Sequence, residues 1–526
     1  MSKCLVLQTP GSMTGSGGRK LENYIGIEFE RNSSNGGGDN GYHKMIGDEE
    51  LLSSLSIFND NIYSALVKDA KVSAKLNEVN LNKTTDGANA DLTGSDGSDV
   101  CKVFQNLWAI VGGTNVTYER FIYSDAYFEY DGDEAIRLSD WADSLDYEVI
   151  INNLARCVYG ASVGSMGTTN ATNISDGSYA SGAGYPSTNL NRFQFEAAAR
   201  ARNSNTLSNL PYCNTTMLDQ EAIIGMQYVE CRTKNLTSVF GYGISSDVMP
   251  SDDNWATTSG FRTKVGSAYK YLAFNNNVYV GGQSISIWQA LNGQFPLLKV
   301  LEAQKGVSDG GTLKTVYDAD GNAIQGKSQG QMTGIWEKTV TFTLNCAFSA
   351  SDTAAAHTFE LHLVQPLWRG TRNYGDIWWH RSGYDVLNYV DSAGTTHNVL
   401  YRAPSISAIT TDSDSDDKTA AGQFAFESAY EQVVDLGDTQ GWMKDSINHN
   451  GRSLVVAKNP GAAINNYQSA WTTLATGTSG RYIRKTAGFS GGNANGGDCV
   501  PRCVYVLSSP ANARTYFGSG FRVALS

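Results

Sequence analysis

The sequence predicts an α+β fold in which short strands and long irregular loops outnumber the helices. Glycine occupies 55 of the 526 positions, and the stretches between apolar runs are rich in Asn, Ser, Thr and Asp, which favour turns. Helical periodicity is confined to a few stretches, whereas β-branched and aromatic residues gather in many short runs. The chain is long enough for several domains. Changes in composition and in the pattern of apolar residues divide it into the regions 1–80, 81–250, 251–360 and 361–526.

Region 1–80 is predicted to be an attachment or oligomerisation region that contains a helix. The run "YIGIEF" at 24–29 favours a strand. Within 48–76, acidic residues stand at the start and lysines toward the end, as the helix dipole favours. Apolar residues follow a spacing of four and three: Leu51, Leu55, Phe58, Ile62, Ala65, Val72 and Leu76. This spacing predicts one amphipathic helix, which packs either on its own chain or, as a coiled coil, on other copies.

Region 81–250 is predicted to lead from strands into two helices. The runs "VCKVFQNLWAIVG" (100–112) and "VTYERFIYSDAYFEY" (116–130) have the aromatic and β-branched density of strands. The stretches 189–203 and 215–235 have apolar residues at helical spacing. This region is interpreted as a β-rich lead-in followed by the first half of a domain.

Region 251–360 is predicted to be an inserted β domain, because its apolar runs are short and strand-like. Its clearest element is "DADGNA" (318–323), in which Asp-Gly and Gly-Asn suit the positive φ angles of a hairpin turn. Region 361–526 is Gly-rich and irregular, carries scattered tryptophans and includes an acidic surface loop at 410–418. It is interpreted as the second half of the interrupted domain.

The charge and hydropathy of the chain argue against two classes of partner. The net charge is −12 and the pI is about 5.1, whereas nucleic-acid binding requires a basic surface. No run approaches the roughly 18 apolar residues of a membrane span, and the first residues lack the apolar core of a secretory signal. We therefore expect no nucleic-acid partner, no membrane insertion and synthesis in a cytoplasm.

No catalytic or metal-binding motif is apparent. The sequence has no G-x-S-x-G elbow, P-loop or H-E-x-x-H motif, and the loop at 84–99 lacks the carboxylate spacing of an EF-hand. The cysteines and histidines are scattered without the spacing of a zinc site. The sequence therefore predicts a protein that is not an enzyme and that carries no cofactor and no metal.

Two local features leave alternatives open. Cys499 and Cys503 are four positions apart around Pro501 and Arg502, a spacing compatible with a disulfide, a thiolate pair or unrelated structural cysteines. His380, in "DIWWHRSGYD", is either a polar site residue set among aromatics or a structural histidine beside core tryptophans. The abundance of Tyr (27) and Trp (10), with Ser, Gly and Asn, is typical of recognition surfaces.

Four stretches, in order along the chain, resemble one known family. They are "NRFQFEAAARAR" (191–202), "DQEAIIGMQYVECRTKNLTSVFGYGI" (219–244), "LWRGTRNYGDIWW" (367–379) and "GSGFRVALS" (518–526). Together they resemble the C-type lectin-fold domain of phage tail-fibre and receptor-binding proteins. The variable proteins of diversity-generating retroelements share this fold, which is related to that of formylglycine-generating enzyme. The resemblance covers roughly 185–245 and 361–526.

The resemblance assigns roles to individual positions. Residues matching its fold motifs are Trp368, Arg369, Gly370, Asn373, Gly375, Ile377, Trp378, Gly520, Phe521 and Arg522. The sequence departs from the family pattern at Asp376, where Asn is usual, and in "HRSGYDVL" beyond Trp379. In this fold the loops before the closing strand form the ligand-binding face, here about 489–516. Its candidate contact residues are Asn493, Asn495, Asp498, Arg502, Tyr505, Asn512, Arg514 and Tyr516.

The resemblance implies a bacteriophage virion protein, a tail fibre or head fibre, that binds a host-surface receptor or glycan. Its other partners would be virion proteins, and its assembly a homotrimer. One alternative is a purely structural capsid or tail decoration protein. Another is a copper-dependent oxidase of the formylglycine-generating type, although Cys499 and Cys503 differ in spacing and context from the copper-binding pair of those enzymes. A cell-surface adhesin is disfavoured because no export signal is seen.

Overall fold

The architecture is given by a computed structural model of the 526-residue chain. The residues that it describes are 23–30, 43–91, 96–114, 118–130, 133–137, 148–151, 191–201, 203, 211–241, 263–265, 277–286, 290, 312–324, 329–372, 378–410, 417–419, 424–439, 441–442, 446–449, 452–457, 471–477, 479–486, 488–489, 504–512, 517–518 and 521–525.

The described helices are few and mostly short. They are α1 Glu49–Ser54, α2 Ser56–Asn61, α3 Arg192–Ala201, α4 Met217–Cys231, α5 Leu236–Phe240 and α6 Ala425–Ala429, with a 3-10 turn at Gln329–Gln331. Among the described residues, no helix is both long and apolar enough to span a membrane.

Strands make up most of the regular structure. In chain order they are β1 Ile25–Glu30, β2 His43–Gly47, β3 Ile62–Lys68, β4 Lys71–Asn77, β5 Asn80–Thr84, β6 Asp99–Phe104, β7 Trp108–Thr114, β8 Tyr118–Ser124, β9 Glu129–Tyr130, β10 Asp133–Glu134, β11 Ile136–Arg137, β12 Glu148–Ile151, β13 Tyr212–Asn214, β14 Thr263–Val265, β15 Asn277–Val280, β16 Gln283–Ser286, β17 Thr312–Lys314, β18 Val316–Tyr317, β19 Ala323–Ile324, β20 Gly334–Leu344, β21 His357–Trp368, β22 Thr371–Arg372, β23 Trp378–Trp379, β24 Tyr384–Val390, β25 Thr396–Arg402, β26 Asp417–Thr419, β27 Glu431–Asp435, β28 Gly441–Trp442, β29 Ser446–His449, β30 Arg452–Ala457, β31 Trp471–Leu474, β32 Arg481–Thr486, β33 Gly488–Phe489, β34 Val504–Val506, β35 Phe517–Gly518 and β36 Phe521–Val523.

These strands form several sheets whose pairings are mostly antiparallel. The larger sheets have the orders β2-β1-β8-β7-β30-β29 (with β11 on β7), β12-β6-β3-β4-β5, β14-β21-β20-β17 (with β22 on β21), β26-β32-β24-β25-β27 and β28-β31-β34-β33. The β31–β34 and β23–β35 pairs are parallel. The described part of the chain is thus a mixed structure dominated by antiparallel sheets, which agrees with the α+β class at this coarse level.

A large core of described residues includes the contact between helix α4 and the sheet that contains β1, β7 and β8. Tyr228 of α4 packs edge-on against Phe29, with ring centroids 5.6 Å apart, and against Phe121, at 5.1 Å. The Tyr123 hydroxyl donates a hydrogen bond to the Ala222 carbonyl of α4 at 2.7 Å. The helix and the sheet are therefore held at a close, fixed distance.

The predicted long helix at 48–76 is wrong beyond its first turns. Asp48 caps α1, but Leu55 adopts a left-handed φ of 51° and separates α1 from α2. From Ile62 the chain forms the β3–β4 hairpin, whose turn places Asp69 and Ala70 at positive φ. β3 is paired on both edges, so its apolar run is buried as a central strand. A short apolar run is compatible with the periodicity of a helix and with that of a strand, so the four-three spacing does not distinguish the two. Because this stretch forms strands from Ile62 onward, it has no continuous coiled-coil seam.

Other predicted elements are confirmed. The strand at 24–29, the helices within 189–203 and 215–235, and the strands within 100–112 and 116–130 are all present. "DADGNA" forms the turn between β18 and β19, with Gly321 at a φ of 84°. The Asp318 side chain holds this turn by accepting the Asp320 and Asn322 amides at 3.0 and 2.8 Å.

Region 251–360, predicted as an insertion, contacts the rest of the chain closely. Val316 and Ile324 of its hairpin lie in the same buried cluster as residues of α4. The fully buried Lys102 of β6 donates to the Ser64 hydroxyl at 2.8 Å and to the Gly330 carbonyl. Burial lowers the pKa of Lys102 to about 8, against the opposing effect of Glu78. The division into four domains itself stays a prediction.

We predict that Gly225→Ala destabilises the protein. A Cβ at Gly225, in α4, would overlap the Tyr123 hydroxyl and the Phe121 ring. Although alanine favours a helix by about 1 kcal/mol, overpacking of this kind typically costs about 1–3 kcal/mol. The free energy of unfolding from urea denaturation should therefore fall, whereas Ser53→Ala, at an exposed helical position, should change it little. Equal stabilities of the two variants would contradict the close approach.

Candidate functional site

The predicted contact face is described only in part. Tyr505 lies on β34, opposite Thr473 of β31 and Gly488 of β33. Asn512 lies in the segment that follows β34 and is half-buried. The other predicted contact residues, and both cysteines of the C-terminal pair, lie outside the described residues: Asn493, Asn495, Asp498, Cys499, Arg502, Cys503, Arg514 and Tyr516. Segment 504–512 therefore carries what can be described of this face.

Segment 504–512 is anchored to helix α3. The backbone N–H of Arg192, the first residue of α3, donates to the Pro510 carbonyl at 2.9 Å. The Asn512 N–H donates to the Ser509 carbonyl at 2.9 Å, and the Ser509 hydroxyl accepts the Ala511 N–H at 3.0 Å. The segment is therefore a turn that is fixed to the start of the helix.

His380 lies under this turn as a buried, neutral side chain. Its exposed fraction is 4%, and its ring centroid lies 6.0 Å from that of Phe195 in α3. Burial, and then the positive charge of Arg192, lower the pKa of His380 to about 3, although a hydrogen bond with the Asn512 backbone acts in the opposite direction. This arrangement agrees with the structural reading of His380, with Phe195 as the aromatic neighbour that is described.

A buried ion cluster lies next to His380. Oδ2 of Asp385, on β24, accepts hydrogen bonds from Arg192 Nη2 at 3.2 Å and from Arg484 Nη2, on β32, at 2.9 Å. All three side chains are almost completely buried. Arg484 also donates to the Thr410 hydroxyl at 2.6 Å and lies over the Phe426 ring, 4.2 Å from its centroid. We call Arg192, Asp385 and Arg484 the ion cluster, and it joins α3 to two neighbouring strands.

A second buried network connects α3 to the strand pair β13–β36. Glu196 Oε2 accepts from the Ser382 hydroxyl at 2.9 Å and from the Asn214 N–H at 3.1 Å. Its other oxygen accepts from Arg200 at 2.6 Å. The Asn214 amide in turn donates to the His380 carbonyl at 3.2 Å. Because Asn214 pairs with Phe521 in β36, this network holds the last described strand against the helix.

The W-R-G turn is bound to α4 through one carboxylate. Trp368 Nε1 donates to Glu230 Oε2 at 2.7 Å, and Arg369 Nε donates to the same oxygen at 3.2 Å. Arg369 also reaches Asn59 of α2 at 2.8 Å. Arg369 and Gly370 both have positive φ, 47° and 74°. The expectation that Trp368 is a core residue is confirmed, since its exposed fraction is 0%.

Sequence reasoning missed Glu230, Glu196, Asp385 and Arg484 as members of these networks. Glu230 and Glu196 lie within the two helical motifs, where an acidic residue on an otherwise apolar helix face was the available signal. Asp385 and Arg484 lie 99 positions apart, and no local pattern connects them.

The described thiols and carboxylates show no reactive arrangement. Four cysteines in the described part of the chain are buried: Cys101, Cys213, Cys231 and Cys346. Burial raises the pKa of Cys231 well above its usual range and that of Cys346 to about 11, so both are protonated near neutral pH. No group of three His, Cys, Asp or Glu side chains that could hold a metal occurs in the described part of the chain. The buried charged side chains described above form ion pairs with other residues of the same chain.

We predict that Glu230→Ala destabilises the protein strongly. The change removes the common partner of Trp368 Nε1 and the Arg369 guanidinium, and breaking a buried pair in this way typically costs about 3–5 kcal/mol. Asp320→Ala is the matched control, because it breaks a half-exposed pair with Arg232 that should contribute less than about 1 kcal/mol. Denaturant unfolding measures both, and similar losses would contradict the proposed anchoring.

We predict that His380 makes the protein less stable in acid. Its folded pKa of about 3 lies below the usual value of 6.5, so the unfolded chain binds the proton more readily. The stabilisation is therefore present above pH 6.5 and is lost as the pH falls toward 3. His380→Gln should reduce this slope of melting temperature against pH. In the wild-type protein, an NMR titration that finds the ring protonating near pH 6.5 would disprove the assignment.

Comparison of the chain with protein-family models, with curated proteins and with solved structures finds no match. The resemblance to the lectin-fold family therefore depends on the four sequence stretches alone.

Proposed function

We propose that this protein is a bacteriophage virion component, a tail fibre or head fibre, that binds a host-surface receptor or glycan. Binding would occur through the C-terminal face of a domain with the C-type lectin fold. The candidate contacts are those on 489–516, of which Tyr505 and Asn512 lie in described segments. The proposal includes a homotrimer and contacts with other virion proteins.

The observation that carries the proposal is that the four family-like stretches meet in the folded chain. Glu230, in the second stretch, binds Trp368 and Arg369 of the third. β23 of the third stretch pairs with β35, which runs into the fourth. Through Glu196 of the first stretch and Asn214, the β13–β36 pair connects the first with the fourth. A single lectin-like domain requires such convergence of segments that are far apart in sequence, and this supports the proposal.

The anchored turn at 507–512 suits a role in recognition. The turn at 507–512 is fixed to α3, and the charged residues beneath it form internal ion pairs. Preorganisation of this turn lowers the ordering cost of binding, so that the polar and aromatic residues of 489–516 would contact a ligand with less loss of entropy. In a trimer, weak individual contacts would be multiplied by valency.

We predict that Tyr505→Ala and Arg502→Ala each weaken binding of the purified chain to host cells or envelope glycans by about tenfold or more. Aromatic and arginine side chains are the usual hot spots of recognition surfaces. Tyr317→Ala is the matched control, because Tyr317 is a 56% exposed tyrosine on the β18–β19 hairpin, outside 489–516. Labelled protein titrated onto cells, with circular dichroism to verify folding, measures the effect.

Two results together would contradict the proposal: that the purified chain binds no host cell or envelope glycan, and that particles lacking it adsorb normally. If the protein is instead found on particles by electron microscopy but adsorption does not depend on it, the structural decoration role replaces receptor binding. Copper bound at Cys499 and Cys503, with activity lost in Cys503→Ser, would favour the oxidase alternative.

A further inference from the structure

His397 binds two aspartates at once, one with each ring nitrogen. Nδ1 lies 2.5 Å from Asp435 Oδ2, and Nε2 lies 3.1 Å from Asp391 Oδ2. The side chain is 22% exposed, and the two carboxylates are 36% and 40% exposed, so the cluster is open to solvent. A carboxylate only accepts hydrogen bonds, so both ring nitrogens must be donors, and only the protonated imidazolium provides two.

Each aspartate uses its other oxygen to hold a turn of the backbone. Asp391 Oδ1 accepts the Ala393 and Thr395 amides at 2.9 and 2.8 Å in the turn between β24 and β25. Asp435 Oδ1 accepts the Gly437 amide at 2.9 Å and the Asn398 amide at 3.2 Å, where β27 ends. His397 therefore connects two turns that lie at the same end of the sheet.

The segment that follows β31 is packed against these two turns. Asn398 Nδ2 donates to the Gly437 carbonyl at 2.7 Å and to the Ala475 carbonyl at 3.3 Å. A Cβ at Gly477 would overlap the Val390 side chain, next to Asp391. The position of residues 475–477 therefore depends on the turns that His397 holds together.

This segment follows β31, the strand that pairs with the candidate binding strand β34. β31 ends at Leu474, and it pairs in parallel with β34, placing Thr473 opposite Tyr505. A change in the order of residues 475–477, which directly follow β31, therefore acts on the end of the strand that supports β34.

We propose that His397, with Asp391 and Asp435, forms a pH-sensitive latch that fixes the turns 391–395 and 435–437 and the segment 475–477 while its ring is protonated. Loss of the ring proton leaves a lone pair facing a carboxylate, and one of the two turns is then released. The latch does not require the receptor-binding role, and it is a property of the sheet itself.

The two aspartates that contact the His397 ring favour its protonated state. Hydrogen bonds to Asp435 and then Asp391 raise the pKa of His397 above 6.5, against a smaller effect of burial. Tyr389 of β24 stacks on the ring, with centroids 4.7 Å apart, and Tyr482 of β32 stacks behind Tyr389 at 4.4 Å. Burial raises the pKa of Tyr389, so this phenol is neutral over the range in which the histidine titrates.

The pH window follows from the signs of these shifts. Because the folded pKa of His397 is raised, its stabilisation is complete below pH 6.5 and is lost as the pH rises through the folded value. The pKa of Asp391 is lowered, first by the Thr395 amide and then by His397, and that of Asp435 is also lowered despite its partial burial. The aspartates therefore remain charged in mild acid, and the latch is closed there and opens on the alkaline side.

The test combines an NMR titration of His397 with amide hydrogen exchange of the full chain, corrected for the intrinsic pH dependence of exchange. We predict that the ring titrates above pH 6.5 and that protection of the Asn398 and Gly437 amides falls about tenfold per unit of pKa shift as the ring loses its proton. His397→Gln should give the low protection at every pH. Asp391→Asn, which keeps the turn acceptor but removes the charge, should lower the midpoint.

His357→Gln is the matched control, since His357 is a similarly half-buried histidine that contacts one aspartate, Asp352, through Nε2 alone. It should leave protection at 397–398, 435–437 and 475–477 unchanged. A His397 titration at or below pH 6.5, or equal protection in wild type and a folded His397→Gln variant, would overturn the latch. Failure of receptor binding would leave these measurements unaffected, so the two proposals are tested separately.

Discussion

Much of the described C-terminal structure depends on the ion pairs that the buried Asp385 carboxylate makes with Arg192 and Arg484. A carboxylate that is removed from water is tolerated only when cations and hydrogen-bond donors surround it. Here Arg192 and Arg484 supply them from a helix and from a neighbouring strand. The same Arg192 carries, on its backbone, the hydrogen bond that fixes Pro510. The ion cluster therefore orients α3, and α3 orients the turn at 507–512, which is part of the candidate face.

In the W-R-G turn, Trp368 to Gly370, polar contacts stabilise an unfavourable backbone conformation. Positive φ at a non-glycine residue is unfavourable unless other contacts compensate, and Arg369 is held in this conformation by Glu230 and Asn59. The conformation aims the guanidinium at the helix while Trp368 fills the core. Arg369 thus forms a buried ion pair with Glu230 and also reverses the direction of the backbone. These two contributions explain physically why Arg369 is expected to be a fold residue.

Local patterns in the sequence predicted local structure well and long-range structure poorly. The "DADGNA" hairpin is determined by turn chemistry within six residues, and α4 by an apolar face with few competing signals. The β3–β4 hairpin was mistaken for a helix because neither Asp69 nor Ala70 reveals its positive φ in isolation. The resemblance proposes Tyr505 and Asn512 as contact residues, a role that stays a prediction. Asp385, Glu230 and His397, by contrast, act through partners that only the fold brings together.

The separation in sequence between these partners has a consequence for how the chain reaches its folded state. Asn59 and Arg369 are 310 positions apart, Lys102 and Gly330 are 228 apart, and Arg192 and Asp385 are 193 apart. Large loops must close before such buried groups find their partners, and strand pairing at long range is slow. Folding is therefore expected to be slow, and interactions that form only after the main barrier also slow unfolding. The long-range ion pairs would thus contribute to the lifetime of the folded molecule as well as to its equilibrium stability.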